Sequence, residues 1–180
     1  MNTMETIFKR RSYRGRFADT AVPREHLRLI MEAGLAAPSG CNKQTVSLIG
    51  VDDPALLKKL HSVIEPDVAA TAPAMICVLS RHIIAYRDRC FSMQDYSAAI
   101  ENMLLAVTSP GYASCWYEGH ITDTDRICDK LAEILNIPAE YELVCILPVG
   151  IPEEETRQPK KGSFEDRAWF NGYGKKGNTT

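Results

Sequence analysis

Residues 74–80 read AMICVLS, a run of strand length that carries no charge and only one polar residue, at its end. It does not alternate apolar with polar, as a strand wetted on one face does, so it fits a central strand buried on both faces. Such a strand needs neighbours in a sheet and helices above and below. Residues 142–149 (ELVCILPV) read as a second apolar strand, with Pro148 confined to its end or edge because proline cannot donate to a ladder. Residues 45–51 (TVSLIGV) make a third, and residues 113–117 (ASCWY) a short fourth candidate.

Helical patterns fill the intervals. Asn2 and Glu5 resemble a capping box opening a first helix that ends near Arg11. Pro23 starts a second, with Leu27, Ile30, Met31, Gly34 and Leu35 on one face; it stops before Pro38, which disfavours helical geometry in the residue ahead of it. Asp53-Pro54 launches a short helix through Leu60. The segment 95–108 is the most helical of all, dominated by Ala98, Ala99, Met103, Leu104 and Val107, and Ser109-Pro110-Gly111 ends it. Thr122 or Asp123 caps a last helix, with Ile127, Leu131, Ile134 and Leu135, that ends before Pro138. Helices outnumber and separate the strands, which describes an α+β or α/β layered domain. With 180 residues, one domain over 1–180 is expected. The tail 150–180 is polar, rich in Lys and Gly, and shows no core face, so it reaches across to another subunit or is loosely ordered.

Composition narrows the function. A net charge of −2 carries no footprint of general nucleic-acid binding, so the basic residues near the N-terminus mark a local site. No apolar run approaches ~18 residues and MNTMETIFKRR has no signal-peptide core, so a cytoplasmic protein without membrane attachment is expected. The cysteines at 41, 77, 90, 115, 128 and 145 form no C-x-x-C pair, and neither they nor the four scattered histidines suggest a metal. No G-x-G-x-x-G, P-loop or G-x-S-x-G stands in the chain, which argues against a Rossmann nucleotide, a P-loop or a hydrolase elbow.

The chemistry concentrates where Arg10, Arg11, Ser12 and Arg14 follow one another. Guanidinium forks and a hydroxyl within five residues make a receptor for one phosphate group, although an ordinary basic helix end would carry similar residues. Three further stretches accompany it: APSGCNKQ at 37–44, ENMLL at 101–105 leading into GYASCWYEG at 111–119, and ILPVGIP at 146–152 followed by Lys160 and Lys161. Together with RRSYR at 10–14 they resemble, in order and over nearly the whole chain, the motifs of the nitroreductase family of flavin enzymes, in its compact subgroup.

That resemblance implies an α+β layered fold, a central, mostly antiparallel sheet flanked by helices, and an intertwined homodimer with FMN at its interface. Arg10, Arg11 and Ser12 would then bind the phosphate and ribityl chain, completed by Lys160 and Lys161. Arg14 would lie near the pyrimidine edge, where a cation favours the reduced ring. Pro38, Ser39 and Asn42 resemble the loop that covers the flavin from the partner subunit. Glu118 and Gly119 resemble the segment lying against N5. No catalytic acid, base or nucleophile is implied, because the flavin carries the chemistry. The expected reaction takes a hydride from NADH or NADPH and reduces nitroaromatics, quinones or similar conjugated electrophiles by a ping-pong mechanism. The competing expectation is a non-enzymatic FMN carrier or redox sensor. Three departures from the family pattern stand out: Thr45 and Val46 follow Gln44 in place of proline and an aromatic, Gly111-Tyr112-Ala113 replaces G-L-G, and Pro110 interrupts the end of the preceding alanine-rich helix.

Overall fold

In a computed structural model of the chain, which describes residues 2–64, 69–118, 124–155 and 159–174, the run at 74–80 is a strand buried at every position. In order, the elements are Thr3–Lys9 (α1), Arg24–Leu35 (α2), a 3-10 turn at Gly40–Asn42, Val46–Val51 (β1), Pro54–His61 (α3), Ala74–Ser80 (β2), Ile84–Tyr86 (β3), Arg89–Cys90 (β4), Ser92–Thr108 (α4), Tyr117–Glu118 (β5), Ile127–Ile134 (α5) and Glu142–Val149 (β6). One sheet has the order β1-β2-β6-β5, antiparallel at each pairing, and β3 with β4 forms a separate hairpin.

The period of two in β2 divides the core. Ala74, Ile76 and Val78 face Leu27 and Ile30 of α2 and Ile100, Met103, Leu104 and Val107 of α4. Met75, Cys77 and Leu79 face Leu57 and Leu60 of α3 and Ile127, Cys128 and Leu131 of α5. Burying each such Leu or Ile contributes about 1.5–3 kcal/mol. A bulge lets β6 follow: Val78 pairs with Cys145 and Leu79 with Leu143, so Val144 is extra, and Val144 and Cys145 both turn to the α2–α4 side. Pro148 falls near the end of β6, beyond the two residues that pair with β5, as its missing donor requires. On the α2–α4 side the two helices approach closely at Gly34, where a Cβ would meet Met103 Cγ at 2.7 Å.

Several boundaries differ from those the sequence suggests. Leu35 is 57% exposed and leaves the core face, bordering instead the small cavity beside Pro38 and Ser39. Helix α4 starts at Ser92, a turn before Asp95. Of residues 113–117 only Tyr117 is in a strand, while Ala113 and Ser114 make single bridges to Gly150 and Ser12. Thr122 and Asp123 lie outside the described residues, and α5 begins at Ile127 after Arg126 in the left-handed region. The hairpin at 84–90 has no counterpart in the sequence reading. The tail carries aromatic side chains among its polar ones: Phe164 lies near Phe170 and Trp169 near Tyr173, while its first residues join the body, with Phe17 bridging to Pro152 and Glu153 N–H donating to Arg16 O.

His61 closes α3 half-buried, its Nε2 without a hydrogen-bond partner among the described residues, and burial lowers its pKa below the ordinary 6.5. Above that value the imidazole is neutral folded and unfolded, so nothing is lost. As pH falls through it, the unfolded chain takes up the proton first and stability declines. The melting temperature is therefore expected to fall as pH is lowered through the ordinary histidine value of 6.5, and His61→Gln to flatten that slope. An identical slope in the variant would assign the loss to other groups.

Candidate functional site

Helix α1 is opened by the Asn2–Glu5 capping box, with both reciprocal hydrogen bonds at 3.0 Å, and ends at Lys9 because Arg10 turns to extended geometry. From there residues 10–17 run along the body. Tyr13 N–H donates to Ser114 O (2.9 Å) and Phe17 N–H to Thr71 Oγ1 (2.8 Å). Tyr13 and Phe17 meet edge to face in a small cluster with Ala72. The Tyr13 hydroxyl donates to Arg16 O and accepts from Glu153 N–H. Buried Tyr13 and Phe17 thus nail down the strip whose intervening side chains face outward.

Those side chains have different fates. Arg10 is three-quarters buried, its Nε 3.3 Å from Glu101 Oε1 on α4. Arg11 folds back, with Nη1 donating to Phe8 O (2.6 Å) and Arg10 O (2.8 Å), and so closes the carbonyl end of α1. Ser12 bridges to Ser114, whose own Oγ is buried and has no hydrogen-bond partner among the described residues. A buried hydroxyl left unpaired costs about 1–3 kcal/mol, so an acceptor or donor brought to this strip would meet a waiting partner. Arg14 is exposed and close enough to the next residue, Cys115, for its charge to oppose the burial that pushes that thiol up to about 11. Arg10, Ser12, Arg14 and Ser114 therefore form one cationic, hydroxyl-bearing patch.

Beyond it, Trp116 is half-buried, meets Tyr96 edge to face, and donates from Nε1 to Glu118 Oε2 at 2.9 Å. Burial, and then the charge of Glu118, raise the Tyr96 pKa. Gly119 and His120 lie outside the described residues. Lys160 and Lys161 are exposed in the tail, and among the described residues no ion pair joins them to the Arg10 patch.

The second half of the site is the loop at 38–44. Cys41 (φ 49°), Asn42 (φ 54°) and Gln44 (φ 48°) all adopt the left-handed region, at a cost that persists only where surrounding contacts hold the loop. Gln44 N–H donates to Ser39 Oγ (3.0 Å), Gly40 N–H to Asp95 Oδ1 (2.8 Å), and Thr45 Oγ1 to Asp95 Oδ2 (2.8 Å). Beside these bonds lies a small cavity of about 130 Å³, bordered by Pro38, Ser39, Thr45 and Asp95. Pro38 and Asn42 are exposed.

The two halves are anchored to different faces of one helix. Helix α4 carries both anchors, Asp95 for the loop and Glu101 for Arg10. Six residues of helix are roughly 9 Å of rise and roughly 240° of rotation, so the anchors face different directions. Three participants escape the sequence reading. Asp95 appears there only near a helix start, Ser114 lies inside a strand candidate, and His26 is scattered from every motif. Yet His26 Nδ1 lies 2.7 Å from the Tyr112 hydroxyl. The available signal is Thr45, a hydroxyl where proline is usual, which calls for an acceptor elsewhere. Among the described residues no cluster of three His, Cys, Asp or Glu side chains could hold a metal ion.

The sequence model of the nitroreductase family matches residues 7–66 and 60–151. A protein of Archaeoglobus fulgidus, named as an NADH dehydrogenase/NAD(P)H nitroreductase, is 31% identical over 153 residues, covering 84% of this chain and 86% of its own. Among solved structures, an FMN-dependent nitroreductase from Clostridium difficile R20291 is 26% identical, with a TM-score of 0.79 over 94% of this chain and 99% of its own. One from Bacteroides thetaiotaomicron, named like the Archaeoglobus protein, is 25% identical, with a TM-score of 0.81 over 95% and 98%. The expected α+β layering around a central antiparallel sheet is the fold these structures share with the chain.

Proposed function

Because this chain belongs to the nitroreductase family, we propose that it is a homodimeric FMN-dependent oxidoreductase that takes a hydride from NADH or NADPH and passes it to nitroaromatic, quinone or similar conjugated acceptors. The observation that carries this reading is the strip of Arg10, Ser12 and Arg14 beside the buried hydroxyl of Ser114, which has no hydrogen-bond partner among the described residues. Its donor set suits FMN: a phosphomonoester dianion wants guanidinium forks, and a ribityl chain wants hydroxyl partners.

When bound, FMN supplies hydride acceptance and release. The chain's part is binding, orientation and exclusion of water. Arg10 meets the phosphate, Ser12 and Ser114 the polar chain behind it, and Arg14 the ring's pyrimidine edge, where it offsets negative charge. Glu118, held by the Trp116 indole, borders the hydride-accepting side. Lys160 and Lys161 complete the phosphate site. Arg11, with one guanidinium nitrogen on backbone carbonyls, adds charge and fixes the direction in which Arg10 leaves the helix.

The split between the two halves supports the dimer. A loop anchored on a different face of α4 from the Arg10 patch can cover the patch of a second copy, so Pro38, Ser39 and Asn42 serve the partner's flavin. Exposed apolar side chains fit that assembly: Met4 and Ile7 on α1, and Phe164, Phe170 and Tyr173 on the tail. No described helix is long and apolar enough to cross a membrane.

The test is initial-rate kinetics of the FMN-loaded protein with varied NADPH or NADH against a quinone and a nitroaromatic. Parallel double-reciprocal lines are expected, since reductant leaves before acceptor enters. Bound flavin with no steady consumption of either reductant would favour the carrier or sensor instead.

A further inference from the structure

Asp95 is 4% exposed, and among the described residues no cation pairs with it. Its charge is stabilised by other means: a place in the first turn of α4, where the helix dipole favours an anion, and two 2.8 Å hydrogen bonds from neutral donors. Both donors belong to the 38–45 segment. Gly40 N–H lies at the head of the left-handed stretch, and Thr45, 1% exposed, directly follows it. Between them sit Cys41, Asn42 and Gln44, each with positive φ. Gly40 is also pressed against the residue that precedes α4, since a Cβ there would stand 2.6 Å from the Phe91 ring. The strained stretch is thus pinned at both ends to one buried carboxylate.

We infer that Asp95 and Thr45 are positioning residues for the cofactor: together they latch the 38–44 loop in the conformation from which Pro38, Ser39 and Asn42 cover the flavin of the partner subunit. This rests on the function proposed above, in which that loop is a flavin contact. The latch explains the departure at Thr45. A proline there would rigidify the loop exit covalently, whereas threonine fixes it by a buried charge-assisted hydrogen bond. Unlatched, the loop is free to relax its positive-φ residues, and FMN must then reorder it on binding.

The experiment compares wild type with Thr45→Val, Thr45→Ser and Asp95→Asn. Two quantities are read: hydrogen exchange of the Gly40 amide in FMN-free protein, and FMN affinity by flavin fluorescence. In wild type the Gly40 amide is protected. In Thr45→Val its exchange is expected to speed up and the FMN Kd to rise by about tenfold, with a similar or larger rise in Asp95→Asn. Thr45→Ser, which keeps the hydroxyl, is expected to stay near wild type in both. A merely structural role would leave FMN affinity unmoved in variants that still fold. Rapid Gly40 exchange in wild type overturns the latch. So does an unchanged FMN Kd in Thr45→Val once its Gly40 amide is deprotected. Wild type that binds no FMN at all overturns the proposed function itself, a result told apart by the wild-type titration alone.

Discussion

Arg10→Ala is expected to weaken FMN binding by ~2–4 kcal/mol, roughly thirtyfold to a thousandfold in Kd. The Arg10 guanidinium is three-quarters buried and its only ion pair among the described residues is with Glu101, at 3.3 Å. A phosphate placed there replaces a half-exposed carboxylate as the partner of a cation already stripped of most of its water. Removing the cation leaves that phosphate facing Ser12, Ser114 and whatever the tail supplies. Glu101→Gln separates this from general damage to α4. It removes a competing carboxylate while keeping the helix, so FMN should bind at least as tightly as in wild type. Equilibrium titration of both variants checks the pair. Equal FMN affinity in wild type and Arg10→Ala would remove the centre of the proposed site.

Ending the chain after Glu155 is expected to leave a folded body that neither dimerises nor holds FMN. Every member of the three buried apolar clusters lies between Tyr13 and Val149, so the truncation takes nothing from the core. It does take Lys160 and Lys161, and with them Phe164, Phe170 and Tyr173, which are 60%, 61% and 88% exposed. Three large aromatic side chains in water are a strong indication that another surface covers them. Sedimentation velocity with flavin absorbance reads both outcomes at once. A truncated dimer that still co-sediments with FMN would show that the tail is dispensable for the interface and for the phosphate.

Much of the fold is legible in the sequence because its central strands are unusually plain. The residues 74–80 and 142–149 are strands over their whole predicted lengths, since a continuous apolar run of that size has little else to be in a layered domain. The capping box at Asn2 and the Asp53-Pro54 start of α3 are equally direct, because each depends on a local hydrogen bond. Where local signals are weak the reading slips. Ser92, Met93 and Gln94 lack the apolar spacing of the rest of α4, and the β3–β4 hairpin is a few mostly exposed residues with no turn glycine.

The site is legible in part for the same reason. Arg10, Ser12 and Arg14 are near neighbours in sequence and lie on one short strip held by the backbone of Tyr13 and Phe17. Arg11 cannot be told from them by residue type, yet its geometry sends Nη1 to the α1 carbonyls. The Asp95 latch joins residues 50 and 55 positions apart, and no periodicity or motif reports a contact of that span. Ser114 is similar: only the bridge to Ser12 and the missing partner of its buried Oγ mark it out.

The most direct measurement is an anaerobic titration of the FMN-reconstituted protein with NADPH and, separately, NADH, followed by visible absorbance. Bleaching of the bound flavin by one equivalent of at least one of the two, in a single two-electron step, is the predicted result. Protein that retains no flavin, or bound flavin that stays oxidised with both reductants, would contradict the assignment.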